Sequence, residues 1–181
     1  MGETPPEMGP ELGRATLSVV ITIRLCTEAD LPALEWMGLY APHRAVIREA
    51  FAAQQRGDGL MLLGITAGFP VGQVWIDLAR KRAESVAVLW AVRTFHPLHG
   101  IGIGRPLMST AERLLRERGI THAELVVERS NESARSFYER LGWRVVGPVS
   151  EIFRFVTPDG QAVEEHLEGW LMEKALLEKE P

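Results

Sequence analysis

The chain is almost without cysteine. Cys26 is the only one among 181 residues, so no intramolecular disulfide can form and a CxxC zinc or redox site is excluded. Long apolar runs are missing too. The best candidate, residues 17–26, is interrupted by Arg24, whereas a membrane span needs about 20 apolar residues. No basic segment precedes Arg14, so the start does not read as a secretory signal, and a cytoplasmic location is the expectation. Nor is there a basic excess: 20 Lys and Arg stand against 24 Asp and Glu, a net charge of −4. That removes the electrostatic footprint of nucleic-acid binding. The remainder, 46% hydrophobic and 24% charged, is ordinary for a globular protein of one domain.

Along the chain, the start carries Pro5, Pro6 and Pro10 without periodicity and reads as a disordered tail over residues 1–16, ahead of a single domain at 17–178. A β-branched apolar run over 17–25 predicts the first strand. Thr27-Glu28-Ala29-Asp30 has the form of a capping box and opens a helix through about Tyr40. A second helix runs from His43 to Arg56 and stops at Gly57. Segments 60–66 and 71–78 form a hairpin, and Val86 to Phe95 form a long strand. Then helix (107–118), strand (122–128), helix (from Asn131) and strand (144–149) alternate. Segments 152–157 and 164–172 close a final hairpin about Pro158-Asp159-Gly160. This order predicts a mixed α/β (α+β) fold, its sheet mostly antiparallel with one parallel βαβ crossover.

That crossover holds the most informative segment, His99-Gly100-Ile101-Gly102-Ile103-Gly104-Arg105-Pro106. Glycine admits positive φ and close approach to the backbone. Placed between a strand and a helix, it exposes amides beside the positive helix end, an anion site for which phosphate is the usual occupant. A P-loop would need Gly-Lys-Ser/Thr, and a dinucleotide fingerprint a glycine three positions beyond Gly102. Neither is present, which disfavours ATP hydrolysis and NAD binding. A glycine-rich connection without a ligand is the plain alternative.

A second block follows: Asn131-Glu132-Ser133-Ala134-Arg135-Ser136-Phe137-Tyr138-Glu139-Arg140-Leu141-Gly142-Trp143. Asn131 suits an N-cap with Glu132 in the first turn. Ala134, Phe137, Tyr138 and Leu141 make one apolar stripe, and Gly142 suits a left-handed helix end. Taken together, the two blocks resemble the GNAT family of N-acetyltransferases. Their pyrophosphate signature is Gln/Arg-x-x-Gly-x-Gly/Ala, followed by Asn-x-x-Ala-x-x-x-Tyr-x-x-x-Gly-Phe. His99 departs from the first position, and Trp143 takes the last aromatic place.

The resemblance implies a GNAT-like acyl-CoA N-acyltransferase fold with acetyl-CoA as co-substrate and no metal. Acetyl transfer would go to a primary amine by direct attack in a ternary complex. It implies that Val92, Arg93, Thr94, His99, Gly100, Ile101, Gly102, Ile103, Gly104, Arg105, Asn131 and Tyr138 hold the cofactor. The Tyr138 hydroxyl would protonate the leaving thiolate. For the base, Glu84 at the start of the long strand ranks first, then Asp77 and Glu128, with His43 lining the acceptor site. Each of these also reads as an ordinary solvated group. His96 and His99 have His-x-x-His spacing without a recognisable third ligand, and Cys26 reads as a small buried hydrophobe. A small-molecule or peptide amine is the expected partner. A homodimer through the final hairpin, with Phe153, Phe155 and Trp170, is expected as well. A GNAT-fold protein that binds acyl-CoA without catalysis, or acts as a regulator, stays open as the alternative.

Overall fold

Residues 60–63 are apolar without alternation, and 71–76 are so except at Gln73; strands of that kind need cover on both faces. The computed structural model, which describes residues 18–177, supplies it. The proposed tail and residue 17 lie outside that range. Strand β1 spans Thr22–Leu25, β2 Gly59–Thr66, β3 Phe69–Lys81, β4 Val86–Thr94, β5 His122–Glu128, β6 Arg144–Val156 and β7 Ala162–Ala175. They form one sheet in the order β1-β2-β3-β4-β5-β7-β6. Only β4 and β5 pair in parallel; every other neighbour is antiparallel. The expected mixed sheet with a single crossover is therefore present.

Helix α1, Arg44–Arg56, covers one face, and α2, Gly104–Glu117, covers the other. The α2 stripe of Leu107, Met108, Ala111 and Leu115 is fully buried against Leu62, Val74, Ile76, Leu89 and Leu125. Removing one such leucine side chain costs about 2–5 kcal/mol. Helix α3, Glu132–Arg140, adds Ala134, Phe137, Tyr138 and Leu141 to the same cluster, as its stripe predicts. Asn131 Oδ1 accepts from the Ala134 amide at 3.0 Å, the expected N-cap. On the α1 face a smaller cluster gathers Cys26, Leu34, Ile47, Met61, Leu63 and Trp75.

Three local expectations are corrected. The first strand begins only at Thr22, because its register partner Ile65 is the last but one residue of β2 and nothing beyond Thr66 remains to pair with it. The segment after Thr27 is a 3-10 helix, Glu28–Glu35, and stops well short of Tyr40. Pro32 lies inside it and cannot supply an α-helical N–H. The chain then turns through three consecutive positive-φ residues, Trp36, Met37 and Gly38. The Thr27–Asp30 capping box itself is formed, and Asp30 also makes a bidentate pair with Arg24 at 2.7 and 2.8 Å. That pair holds its carboxyl well below the usual carboxylate range. Finally, the separate segments 144–149 and 152–157 are one continuous strand, β6. Its far end swings onto the α1 face, where the Phe155 and His43 rings lie 4.4 Å apart.

Candidate active site

The parallel pair that carries the glycine loop does not stay paired. Register between β4 and β5 runs from Val86↔His122 to Leu89↔Leu125 and ends there, although both strands continue. Just beyond, Ala91 has φ of 47°, and the β3–β4 register skips a residue between Trp75↔Trp90 and Gln73↔Arg93. A β-bulge of this kind bends its strand. The backbone of Trp90 to Thr94 is thus left without a partner on the β5 side, a length of open hydrogen-bonding edge inside the sheet.

The glycine loop lies at the end of that edge. Gly100 and Gly102 take φ of 80° and 94°, and an added Cβ at either would meet open space. Gly104 is different: its Cβ would come within 3.0 Å of Phe137 Cζ, so it lets α2 start against α3. No acidic residue stands in the first turn of α2, which leaves its positive end free for an anion. Arg105 is exposed there. His99 is exposed, but its Nε2 donates to the Thr94 carbonyl at 2.9 Å and ties the loop back to β4. The His96 and His99 rings are 4.8 Å apart, and among the described residues no third His, Cys, Asp or Glu joins them.

Tyr138 is 7% exposed and packs between Phe137 and Trp143. Burial raises its phenol far above the usual range, so it keeps its proton at every working pH. Cys26 is buried, donates to the Thr27 carbonyl, and is pushed up to about 12 by burial; it is no thiolate nucleophile.

The base candidates fall apart. Glu84 is an exposed residue of a 3-10 turn, Arg82–Glu84, that precedes β4. The glycine loop follows the other end of a nine-residue strand, and such a strand is about 30 Å long. Glu84 therefore lies at the end of β4 away from the glycine loop, the end where β3 also carries Asp77. Asp77 accepts from the Ala79 and Arg80 amides at 2.8 and 2.9 Å and fastens the end of β3. Glu128 is exposed at the end of β5. His43 does lie beside the parted strands. Its ring packs near Tyr40 and Phe155, and burial, helped by the Arg93 charge, lowers its pKa.

The sequence did not indicate how the α1 face is furnished. Arg93 turns its side chain there, with its guanidinium 4.2 Å from the Tyr40 ring centre. Trp75 and Trp90 meet edge to face at 4.9 Å in the wall of a cavity of about 520 Å³, roofed by Phe153 and Phe155 of β6. Gln73 Oε1 and the Nε1 atoms of Trp36 and Trp75 are buried without partners among the described residues. Of the aromatics expected at a dimer contact, Phe155 is buried and Trp170 carries Arg129 and Arg135 over its ring. Phe153, with Ile152 and Val156, stays exposed on the outer strand.

A model of the acetyltransferase (GNAT) family matches residues 27–143. The chain belongs to the GNAT acetyltransferase family. The chain is 31% identical over 88 residues to the mycothiol acetyltransferase of Propionibacterium freudenreichii subsp. shermanii, a match covering 49% of the chain and 28% of that relative, so the chain spans less than a third of the curated relative it matches. Among solved structures it resembles yncA of Salmonella typhimurium with its cofactor acetyl-CoA, at TM-score 0.68 and 19% identity, over 90% of this chain and 97% of that one. It also resembles the ribosomal-protein-S18-alanine N-acetyltransferase of Escherichia coli, at TM-score 0.63 and 20% identity, over 89% and 97% of the two chains. These structural likenesses establish the fold. Among the described residues no helix is long and apolar enough to cross a membrane.

Proposed function

We propose that the acetyltransferase moves an acetyl group from acetyl-CoA to a primary amine by direct attack within a ternary complex. The observation that carries this reading is the parting of β4 from β5 past Leu89, which ends at two positive-φ glycines before α2. The unpartnered backbone of Val92, Arg93 and Thr94 suits the amide-bearing arm of the cofactor. The amides from Gly100 to Gly104, with Arg105 beside them, suit its pyrophosphate. Asn131 Oδ1 is committed to capping α3, and its side-chain amide N–H groups remain available to the arm. Acetyl-CoA, when bound, supplies the thioester whose C–S bond breaks as the amine N–C bond forms.

The remaining tasks belong to protein side chains. Tyr138 holds a proton on its phenolic oxygen, and burial keeps it there; it serves as the acid for the departing sulfur. His43, whose pKa is lowered, is neutral near pH 7 and takes the proton from the attacking amine. The Arg93 charge and the Phe155 ring beside it support His43 in that role over Glu84.

Thermal denaturation tests the cofactor assignment. CoA or acetyl-CoA at about a hundredfold excess over Kd is expected to raise Tm by about 5–10 °C, and ATP or NAD far less. Gly102→Val places a β-branched residue at a φ of 94° and is expected to remove the shift while the apoprotein still folds. Equal shifts from ATP and CoA, untouched by Gly102→Val, would overturn the reading.

A further inference from the structure

On the α1 face one pair of side chains has bonding capacity that nothing in the described chain uses. Gln73 and Arg93 are register partners across β3 and β4, and directly opposed residues of an antiparallel pair share a face. Gln73 is 1% exposed, and its Oε1 has no hydrogen-bond partner. Buried polar atoms are nearly always partnered, so an orphan of this kind needs a reason. Arg93 is half-buried against Tyr40 and forms neither a hydrogen bond nor an ion pair among the described residues. Stacking covers one face of the guanidinium plane and leaves the N–H groups along its edge without acceptors. The nearest acidic influence, Glu165, acts on Arg93 and His43 only at longer range.

Unused donors beside an unused acceptor are complementary to a molecule that carries both a carboxylate and an amine. An arginine edge matches a carboxylate in the bidentate geometry that makes such pairs strong. A neutral amine can donate to a glutamine oxygen and keep its lone pair for attack. Both residues stand on or beside the stretch of β4 that has parted from β5, and His43 is close by, within reach of the Arg93 charge.

We propose that Arg93 and Gln73 select the acceptor, a free amino acid whose carboxylate seats on the Arg93 guanidinium while its amine donates to Gln73 Oε1. This rests on the acyl-transfer reading above and narrows its amine to one that carries a carboxylate on the same molecule. It gives the two parts of Arg93 separate tasks: the backbone faces the cofactor edge, and the side chain faces the acceptor.

The experiment presents acetyl-CoA and the twenty L-amino acids to the full chain and scores N-acetyl products by mass spectrometry. For each amino acid that reacts, the amine lacking only the carboxylate is run beside it. The expected result is a kcat/KM about 100-fold higher for the amino acid, the scale of an unpaired buried charge. Most of the difference should lie in KM. Arg93→Met is expected to shrink that ratio to within a few-fold, and Arg93→Lys to restore part of it. Amines without a carboxylate reacting as well as amino acids, in the unmodified protein, would overturn the inference and leave acyl transfer standing. A ratio unchanged by Arg93→Met would do the same. No transfer to any compound while CoA still binds would overturn the acyl-transfer reading and this inference together.

Discussion

The two faces of the sheet treat buried polar groups in opposite ways. On the α2 face, Glu112 is 7% exposed, yet each of its oxygens is taken. Trp143 Nε1 donates to Oε1 at 3.1 Å, and Lys174 Nζ donates to Oε2 at 2.7 Å and to the Leu141 carbonyl at 2.6 Å. That network ties α2 to the end of α3 and to β7. On the α1 face, Gln73 Oε1 and Trp75 Nε1 have no partners among the described residues, and Arg93 rests on a ring instead of a carboxylate. A folded chain satisfies its buried polar groups where they serve the fold, and leaves them open where another molecule completes them. Gln54, also on the α1 face, sharpens the point. It accepts from the Met61 amide and donates to the Cys26 carbonyl, both at 2.9 Å. The face as a whole can satisfy glutamine; only the part beside the parted strands does not.

The largest effect expected from this contrast is on stability. Glu112→Ala leaves the Lys174 ammonium and Trp143 N–H without their carboxylate, and removing one partner of a buried pair costs about 3 kcal/mol. Chemical denaturation should show an unchanged slope and a midpoint lowered by that free energy divided by the slope. Gln73→Met, which replaces an orphan by an apolar group of similar length, should leave the midpoint unchanged or raise it. If Gln73→Met destabilises as much as Glu112→Ala, the two faces do not differ in the way described.

Acid catalysis is the next test, because Tyr138 belongs to the well-packed face by its ring and to the site by its hydroxyl. Tyr138→Phe keeps the contacts with Phe137 and Trp143 and removes only the oxygen. Turnover should fall about 100-fold, the size of a general-acid contribution, while Tm and CoA affinity hold. Full turnover, measured with chemistry rate-limiting, would remove the hydroxyl from the mechanism.

The residues legible in the sequence were those whose roles are local. The spacing of Ala134, Phe137, Tyr138 and Leu141 encodes a helix face whatever surrounds it, and Asn131 declares an N-cap by its own chemistry. Gly100 and Gly102 announce positive φ because glycine is the cheap residue there. Ala91 makes no such announcement. It adopts φ of 47° because the sheet around it requires a bend, and nothing in Leu89-Trp90-Ala91-Val92 marks where β4 leaves β5. Met37 and Trp36 hide their positive φ for the same reason, although Gly38, next to them, carried a signal that the helix reading to Tyr40 passed over. Arg93, Gln73 and Tyr40 are far apart in sequence and ordinary one by one. Their meeting is a product of strand register and the turn after Glu35, which residue type does not encode. Glu84 shows the same limit: the sequence puts it at the start of the long strand, and a nine-residue extended strand sets that start about 30 Å from the glycine loop.

The smallest effect, that of Glu84→Gln, should separate Glu84 from His43. Glu84→Gln changes an exposed turn residue and should alter kcat/KM by no more than about twofold, within the range of ordinary surface substitutions. His43→Asn should cost up to about 100-fold near neutral pH, and the loss should fade as pH rises and the acceptor amine becomes neutral without help. The sign for stability runs through the same group. Because burial lowers the folded-state pKa of His43, the unfolded chain binds this proton first. Stability should therefore fall as pH drops through about 6.5, the unfolded histidine value, and level off below the folded one. In His43→Asn that acid-side loss should shrink. A pH–rate profile whose acid limb is unmoved by His43→Asn would place the proton elsewhere. If Glu84→Gln instead gave the pH-rescued loss, the far end of β4 would have to be part of the site after all, against the placement of the parted strands.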